Sequence, residues 1–195
     1  IRDSSVTGVQ TCALPICFPK KRAQLLSKHS LDMEKEKEMQ AAAGATASGG
    51  KKIAVFPGSF DPFTIGHASI VTRGLPLFDE IVIGVGINES KRSLFSHEER
   101  VQAIREHYRN EPKVRVVSYN DLTIDLARRE GAKFILRGLR SVKDFEYERD
   151  IANMNHRLSG IETILLFTEP QFSSISSSVV RELIAFGKDV TEFLP

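Results

Sequence analysis

The chain has 195 residues, with 27 Lys/Arg against 25 Asp/Glu and a formal net charge of +2. A hydrophobic fraction of 41% and a charged fraction of 27% are ordinary for a soluble globular protein with one core and an appendage. Residues 1–50 hold seven of the basic and five of the acidic groups, so residues 51–195 carry 20 of each and lack the basic excess usual in nucleic-acid-binding domains. No apolar run nears the roughly 18 residues of a membrane span. Both cysteines, Cys12 and Cys17, precede the candidate core, which excludes a disulfide framework or a cysteine metal site there and fits a cytoplasmic protein.

Ile1–Cys17 shows no sustained helical or strand period and lacks the basic start and long apolar run of a secretory signal. It resembles translated sequencing-adapter sequence, with a natural start at Met33 or Met39; a genuine disordered tail is the alternative. Residues 31–43, LDMEKEKEMQAAA, suit a short exposed helix, and GATASGG (44–50) suits a flexible linker. Residues 1–50 are therefore read as a leader, disordered and partly non-native, and residues 51–195 as the folded domain.

From Lys51 the pattern changes. KIAVFP (52–57) is a short apolar run stopped by Pro57-Gly58 and predicts a buried strand. Residues 67–78 carry apolar side chains at helical spacing, interrupted by Gly74 and Pro76. EIVIGVGI (80–87) predicts a second buried strand. In 96–109, Ser96 with Glu99 three positions later forms a capping-box signature at the head of a helix. VRVVSY (114–119) is a third strand, and Asp121 is expected to cap a helix over 122–130. KFILRG (133–138) is a fourth strand, 144–158 a helix, ETILLFT (162–168) a fifth strand, and 176–187 a last helix ending at Gly187. This alternation predicts an α/β fold: a Rossmann-like five-stranded parallel sheet flanked by helices, in a single domain. Continuous apolar strands agree with burial on both faces. Ligands of such sheets bind beyond the carboxyl ends of the strands.

The residues after each strand carry the chemistry. GSFDPFTIGH (58–67) has Gly58 and Gly66 for close backbone approach or unusual dihedrals, and His67 at a helix start, where free N–H groups and the dipole attract phosphate. A turn with a capping histidine is the alternative. Lys91 and Arg92 follow the second strand, as phosphate-binding charges or as solvent-facing ones. Arg137-Gly138-Leu139-Arg140 follows the fourth, either for bidentate phosphate contacts or for salt bridges to Asp144, Glu146 or Glu148. Five serines (173, 174, 176, 177, 178) crowd the entrance of the last helix, where capping needs only one. Together these describe a pocket for several phosphates. No acid/base pair, Walker motif or GxGxxG fingerprint is present, which suits phosphoryl or nucleotidyl transfer, a chemistry of positioning and charge stabilisation.

These segments resemble a known family. GSFDPFTIGH (58–67) and ISSSVVRE (175–182) resemble the two signatures of nucleotidyltransferases with a histidine-x-glycine-histidine type motif, here Thr64–His67. RGLRSVKDFEYE (137–148) with MNHRL (154–158) closely resembles the bacterial phosphopantetheine adenylyltransferases, in order and spacing from about Lys52 to Pro195. Ser59 stands where threonine is frequent and Thr64 where the wider superfamily has histidine. The chain stops at VTEFLP (190–195), where many relatives continue into a further helix.

The resemblance implies transfer of AMP from Mg·ATP to 4′-phosphopantetheine, giving dephospho-coenzyme A and pyrophosphate, by a hexamer. It implies that Ser59 and Phe60 touch ATP or the pantetheine phosphate. His67 stabilises charge on the α-phosphate, and Lys91 binds the attacking phosphate. Thr123 lines the pantetheine arm, and Arg137 holds its phosphate end. Gly138, Leu139 and Arg140 contact ATP, with Arg140 reaching its phosphates and Glu148 meeting the nucleotide. Phe172, Ser173, Ser174, Ile175, Ser176, Ser177 and Ser178 cradle the triphosphate and adenine side. It implies Mg²⁺ bound with ATP and no protein metal cage. The rivals are another acceptor, such as nicotinamide mononucleotide, another reaction of the superfamily (cytidylyl transfer), and a nucleotide-binding module without turnover.

Overall fold

A computed structural model describes residues 50–87 and 93–195. The leader and its expected helix lie outside the described residues, as do Lys91 and Arg92. Five strands form one sheet: β1 (Ile53–Gly58), β2 (Glu80–Gly86), β3 (Val114–Tyr119), β4 (Phe134–Leu139) and β5 (Glu162–Phe167). Their order is β3-β2-β1-β4-β5, and every neighbouring pair is parallel. The helices are α1 (Ile65–Gly74), α2 (His97–His107), α3 (Thr123–Arg129), α4 (Val142–Ser159) and α5 (Ser177–Ala185).

The continuous apolar runs are explained by two cores. Successive strand residues point to opposite faces. Ala54, Phe56, Ile81, Ile83, Val85 and Leu136 pack on one side with Ile70 and Val71 of α1 and Val101 and Ile104 of α2. Val55, Val82 and Ile135 pack on the other with Ile124, Leu126 and Ala127 of α3. A strand with both faces covered has no position for an alternating polar residue.

The order of the strands positions the site. The chain steps from β1 outward to β3, then crosses back to place β4 on the other side of β1. Loops at the ends of β1 and β4 therefore diverge and leave a crevice between them.

Three helix starts differ from expectation. Helix α1 begins two residues earlier than His67, because the Thr64 backbone N–H donates to His67 Nδ1 at 3.0 Å. The imidazole thus does the job that Glu or Gln does in a capping box. Asp121 does not cap α3. Its carboxylate accepts from Arg129 at 2.6 Å, and Leu122 occupies the cap position. Helix α4 starts at Val142, because the Ser141 hydroxyl accepts from the Asp144 N–H at 3.1 Å. The expected Ser96 cap of α2 is present with its Glu99 partner.

Candidate active site

A cavity of about 510 Å³ opens over the carboxyl ends of β1 and β4. The strand ends supply Gly58, Ser59, Arg137 and Gly138, α1 supplies His67, and the start of α5 supplies Ser176, Ser177 and Ser178. Two helix N-termini, with their unpaired N–H groups and positive dipole ends, thus face one space. A second cavity of about 360 Å³ shares Pro57, Gly58, Ser59, Gly86, Arg137 and Glu148 with the first. Its own walls are more apolar, with Ile87, Ile135, Ile151 and Ala152, alongside Thr123 and Asn155. Thr163 also lines it, and the Thr163 hydroxyl is buried without a partner.

The loop between β1 and α1 is shaped by its aromatic side chains. Phe60 has φ of 48°, a left-handed conformation that a bulky residue adopts only when its surroundings enforce it. Its ring lies over Gly58, where an added Cβ would stand 2.7 Å from a ring carbon. Gly58 is therefore the close approach expected of it. At Gly66 a Cβ would meet only ordinary protein contacts of 3.6 Å and beyond, and this glycine lines the cavity. The Phe60 ring is buried and packs edge-on against His67 at 5.2 Å, with Phe63 stacked on the same imidazole at 5.4 Å. Phe60 thus braces the histidine with its ring and also lines the cavity.

These contacts decide the state of His67. Burial, then the positive charges of Arg140 and Arg137, push its pKa down from 6.5 to about 4. The ring is neutral at pH 7. Because Nδ1 accepts from the Thr64 N–H, the single ring proton sits on Nε2. His67 is a fixed, uncharged hydrogen-bond donor.

The two arginines of the β4 turn divide the alternatives between them. Arg137 binds both carboxylate oxygens of Glu148, with Nε to Oε2 at 2.8 Å. It also donates to the Pro57 carbonyl at 2.6 Å. Three of its five N–H groups are used, so Glu148 serves first as the partner of Arg137. Arg140 is more exposed and its Nε lies 3.3 Å from Asp144. Such a surface pair contributes little, which leaves Arg140 available to an anion.

Four of the five clustered serines are bonded within the fold. Ser176 caps α5 by accepting from the Val179 N–H, Ser177 donates to the Pro62 carbonyl, Ser178 accepts from Arg181, and Ser173 donates to the Pro170 carbonyl. Ile175 lines the cavity, whereas Phe172, Ser173 and Ser174 do not. Leu139 is 2% exposed and belongs to the core rather than the cavity. Thr123 lines the second cavity. Lys91 lies outside the described residues.

Three charged residues of the first cavity's wall, Asp61, Arg100 and Arg181, went unassigned in the sequence. Asp61 and Arg181 lie inside the two quoted signatures, yet nothing in the pattern gave them a task. Arg100 stands on the buried stripe of α2 with Val101 and Ile104. A cation at an apolar position is a signal that could have been read. It is 7% exposed and donates to the carbonyls of Ser59, Ser96 and Gly86. Among the described residues, no group of three His, Cys, Asp or Glu side chains could hold a metal ion.

The cytidylyltransferase-like family matches residues 55–183. A phosphopantetheine adenylyltransferase of Phocaeicola vulgatus is 60% identical over 142 residues, 73% of this chain and 94% of that protein. The one from Bacteroides fragilis is 58% identical over 142 residues, 73% of this chain and 95% of that protein. This chain belongs to the phosphopantetheine adenylyltransferase family. Among solved structures, a Vibrio parahaemolyticus chain described as a nicotinate-nucleotide adenylyltransferase superposes with a TM-score of 0.54 at 20% identity. The match covers 74% of this chain and 94% of that one. That likeness shows the shared Rossmann-like nucleotidyltransferase fold.

The neutral histidine of this family member has a measurable consequence. Between pH 6.5 and about 4 the unfolded chain binds a proton at His67 that the folded chain does not. The stabilisation is complete above about pH 6.5 and is lost as pH falls toward 4, up to about 3 kcal/mol. Urea unfolding at steps from pH 7 to 4 should show this decline, and His67→Gln should flatten it. An equal slope in both proteins would contradict the assignment.

Proposed function

We propose that this chain is a pantetheine-phosphate adenylyltransferase, joining the AMP part of ATP to 4′-phosphopantetheine in coenzyme A synthesis. The observation that carries the reading is the pair of cavities joined at Ser59, Arg137 and Glu148. The donor-rich cavity suits a triphosphate. The adjoining cavity, apolar with a few hydrogen-bonding groups, suits the pantetheine arm. Family membership supports the same acceptor.

In this reading the terminal phosphate of 4′-phosphopantetheine attacks the α-phosphorus of ATP in line, and pyrophosphate leaves from the opposite side. A phosphate monoester is largely ionised at pH 7, so no general base is required. The chain's contribution is placement and charge stabilisation. His67 Nε2–H donates to a non-bridging α-phosphate oxygen as negative charge builds there. Because it is neutral, it loses no proton in the step and stays a donor across the working pH range. Arg140 and the α5 N-terminus hold the β- and γ-phosphates. The two N–H groups of Arg137 outside its Glu148 and Pro57 bonds meet the acceptor phosphate at the junction. Lys91 is proposed to join them.

Mg²⁺ fits as a companion of the triphosphate. The carboxylates on the cavity wall already accept from arginines or backbone N–H groups, so its ligands would be phosphate oxygens and water. It would supply charge neutralisation on the leaving pyrophosphate.

The test is pyrophosphate release with Mg·ATP, with and without 4′-phosphopantetheine, and with nicotinamide mononucleotide as the control acceptor. Release only with 4′-phosphopantetheine is expected. Release with the other acceptor alone, or none from folded protein, overturns the reading.

We also propose a homohexamer. Val142 and Leu158 on α4, Phe167 at the end of β5 and Phe186 after α5 are exposed, by 76%, 55%, 72% and 75%, and large apolar side chains so placed suit burial between copies. Light scattering on the purified chain should give six times the chain mass, and a monomer mass would refute it. No helix among the described residues is long and apolar enough to cross a membrane, and a cytoplasmic site of action is proposed from the use of ATP.

A further inference from the structure

One buried residue that this reaction scheme leaves unused joins three strand ends, through its carboxylate on one side and its backbone carbonyl on the other. Asp61 is 5% exposed and lies in the loop between Ser59 and His67. Its Oδ2 accepts from the Leu94 N–H at 2.9 Å and its Oδ1 from the Phe95 N–H at 3.0 Å. Those residues follow β2 and lead into the Ser96 cap of α2, and the adjacent Ser93 lines the first cavity. The Asp61 carbonyl accepts from Arg181 Nη1 of α5 at 2.6 Å. The same nitrogen stands 3.9 Å from Oδ2. A parallel tie joins Ser177 to the Pro62 carbonyl at 2.9 Å.

A buried carboxylate needs compensation, and two aligned backbone donors supply it here. Any buried aspartate could satisfy that requirement within one loop. Asp61 differs because each of its partners belongs to a segment that lines the cavity: Ser93 beside Leu94, and Ser176–Ser178 one turn before Arg181. Its own segment carries Ser59 and His67.

We propose that Asp61 is a positioning residue for the transfer step, with Arg181 as its second arm. It holds the histidine loop, the Ser93–Ser96 segment and the α5 N-terminus in one fixed arrangement. The inference rests on the adenylyl-transfer reading. In-line transfer requires the attacking oxygen, the α-phosphorus and the His67 donor to be set together, and a misplacement of about 1 Å can cost about 100-fold in rate. Binding of ATP is spread over many contacts and is less sensitive.

Asp61→Asn keeps the size but turns an amide NH₂ toward a backbone donor. The expected result is kcat lower by about 30- to 100-fold, with the Kd for ATP in calorimetry changed by less than about threefold. Arg181→Ala removes the second arm from a partly exposed site, and should lower kcat about tenfold with ATP affinity similarly preserved. In the double variant the losses should fall short of their product, as for residues acting through one junction.

A merely structural role would lower the unfolding midpoint and leave kcat per folded molecule unchanged, and that result overturns the proposal. If Asp61→Asn does not fold, Arg181→Ala decides on the same split between kcat and Kd. If the unaltered chain releases no pyrophosphate with 4′-phosphopantetheine, the adenylyl-transfer reading fails first and this inference falls with it. If the unaltered chain is active and both folded variants match it, only the positioning role fails.

Discussion

His67→Ala is expected to lower kcat at least about a hundredfold, with ATP binding changed far less. Removing one preorganised donor at developing charge costs about 3–4 kcal/mol of barrier reduction. The structure favours the upper part of that range. The imidazole is held between Phe60 and Phe63, and its Nδ1 is tied to the Thr64 N–H, so Nε2–H is aimed before substrate arrives. A donor that needs no reorientation acts at full strength in the transition state. The variant also loses the bond to the Thr64 N–H, a capping loss of about 1 kcal/mol in stability. Steady-state rates should therefore be read on protein shown to be folded. A wild-type kcat in folded His67→Ala would remove the histidine from the mechanism.

The second large effect is on stability. Glu148→Ala should destabilise the fold by about 3 kcal/mol, at the low end of the range for breaking a buried ion pair by removing one partner. Glu148 has 8% of its side chain exposed and Arg137 has 29%. The abandoned guanidinium would keep its bond to the Pro57 carbonyl but lose the charge that compensates its burial. Partial access of water is the reason for the low end of the range. For a domain of this size that loss lowers the thermal midpoint by about 10 °C. Glu148→Gln, which keeps an acceptor oxygen but no charge, should fall between the two. Urea unfolding of the three proteins checks it. A loss below about 1 kcal/mol in Glu148→Ala would mean that the pair contributes no more than a surface salt bridge.

Much of the architecture was legible in the sequence. Five apolar runs of strand length, alternating with helical patterns, allow few arrangements other than a parallel sheet with crossovers. The runs of β1, β2 and β4 are largely apolar because both faces of those inner strands are covered, whereas the edge strands β3 and β5 are only partly buried and carry Arg115, Ser118, Glu162 and Thr163. Ser96 with Glu99 marked a helix start because a capping box is a local device, complete within four residues. At the head of α1 a capping histidine was only one of two alternatives, because histidine is not the residue that usually closes that box. The candidate site residues were picked out by one rule, that ligands sit past the carboxyl ends of the strands. His67, Arg137, Arg140 and Ser176–Ser178 do gather there.

The sequence by itself thus determined the class of fold, the edge of the sheet at which the cavity opens, and the kind of side chain gathered on it. Such features depend on composition and spacing within single elements. Only the tertiary structure decided which partner each polar side chain takes. Arg137 and Arg140 have the same local surroundings in the chain, yet one is locked to Glu148 and the other stands open beside Asp144. Leu139, between them in sequence with Gly138, turns into the core. Arg100 reaches Ser59 across 41 positions, and Arg181 reaches Asp61 across 120. Hydrogen bonds and burial act over a few ångströms of space. No spacing in the chain encodes those distances until the sheet has set its strand ends side by side.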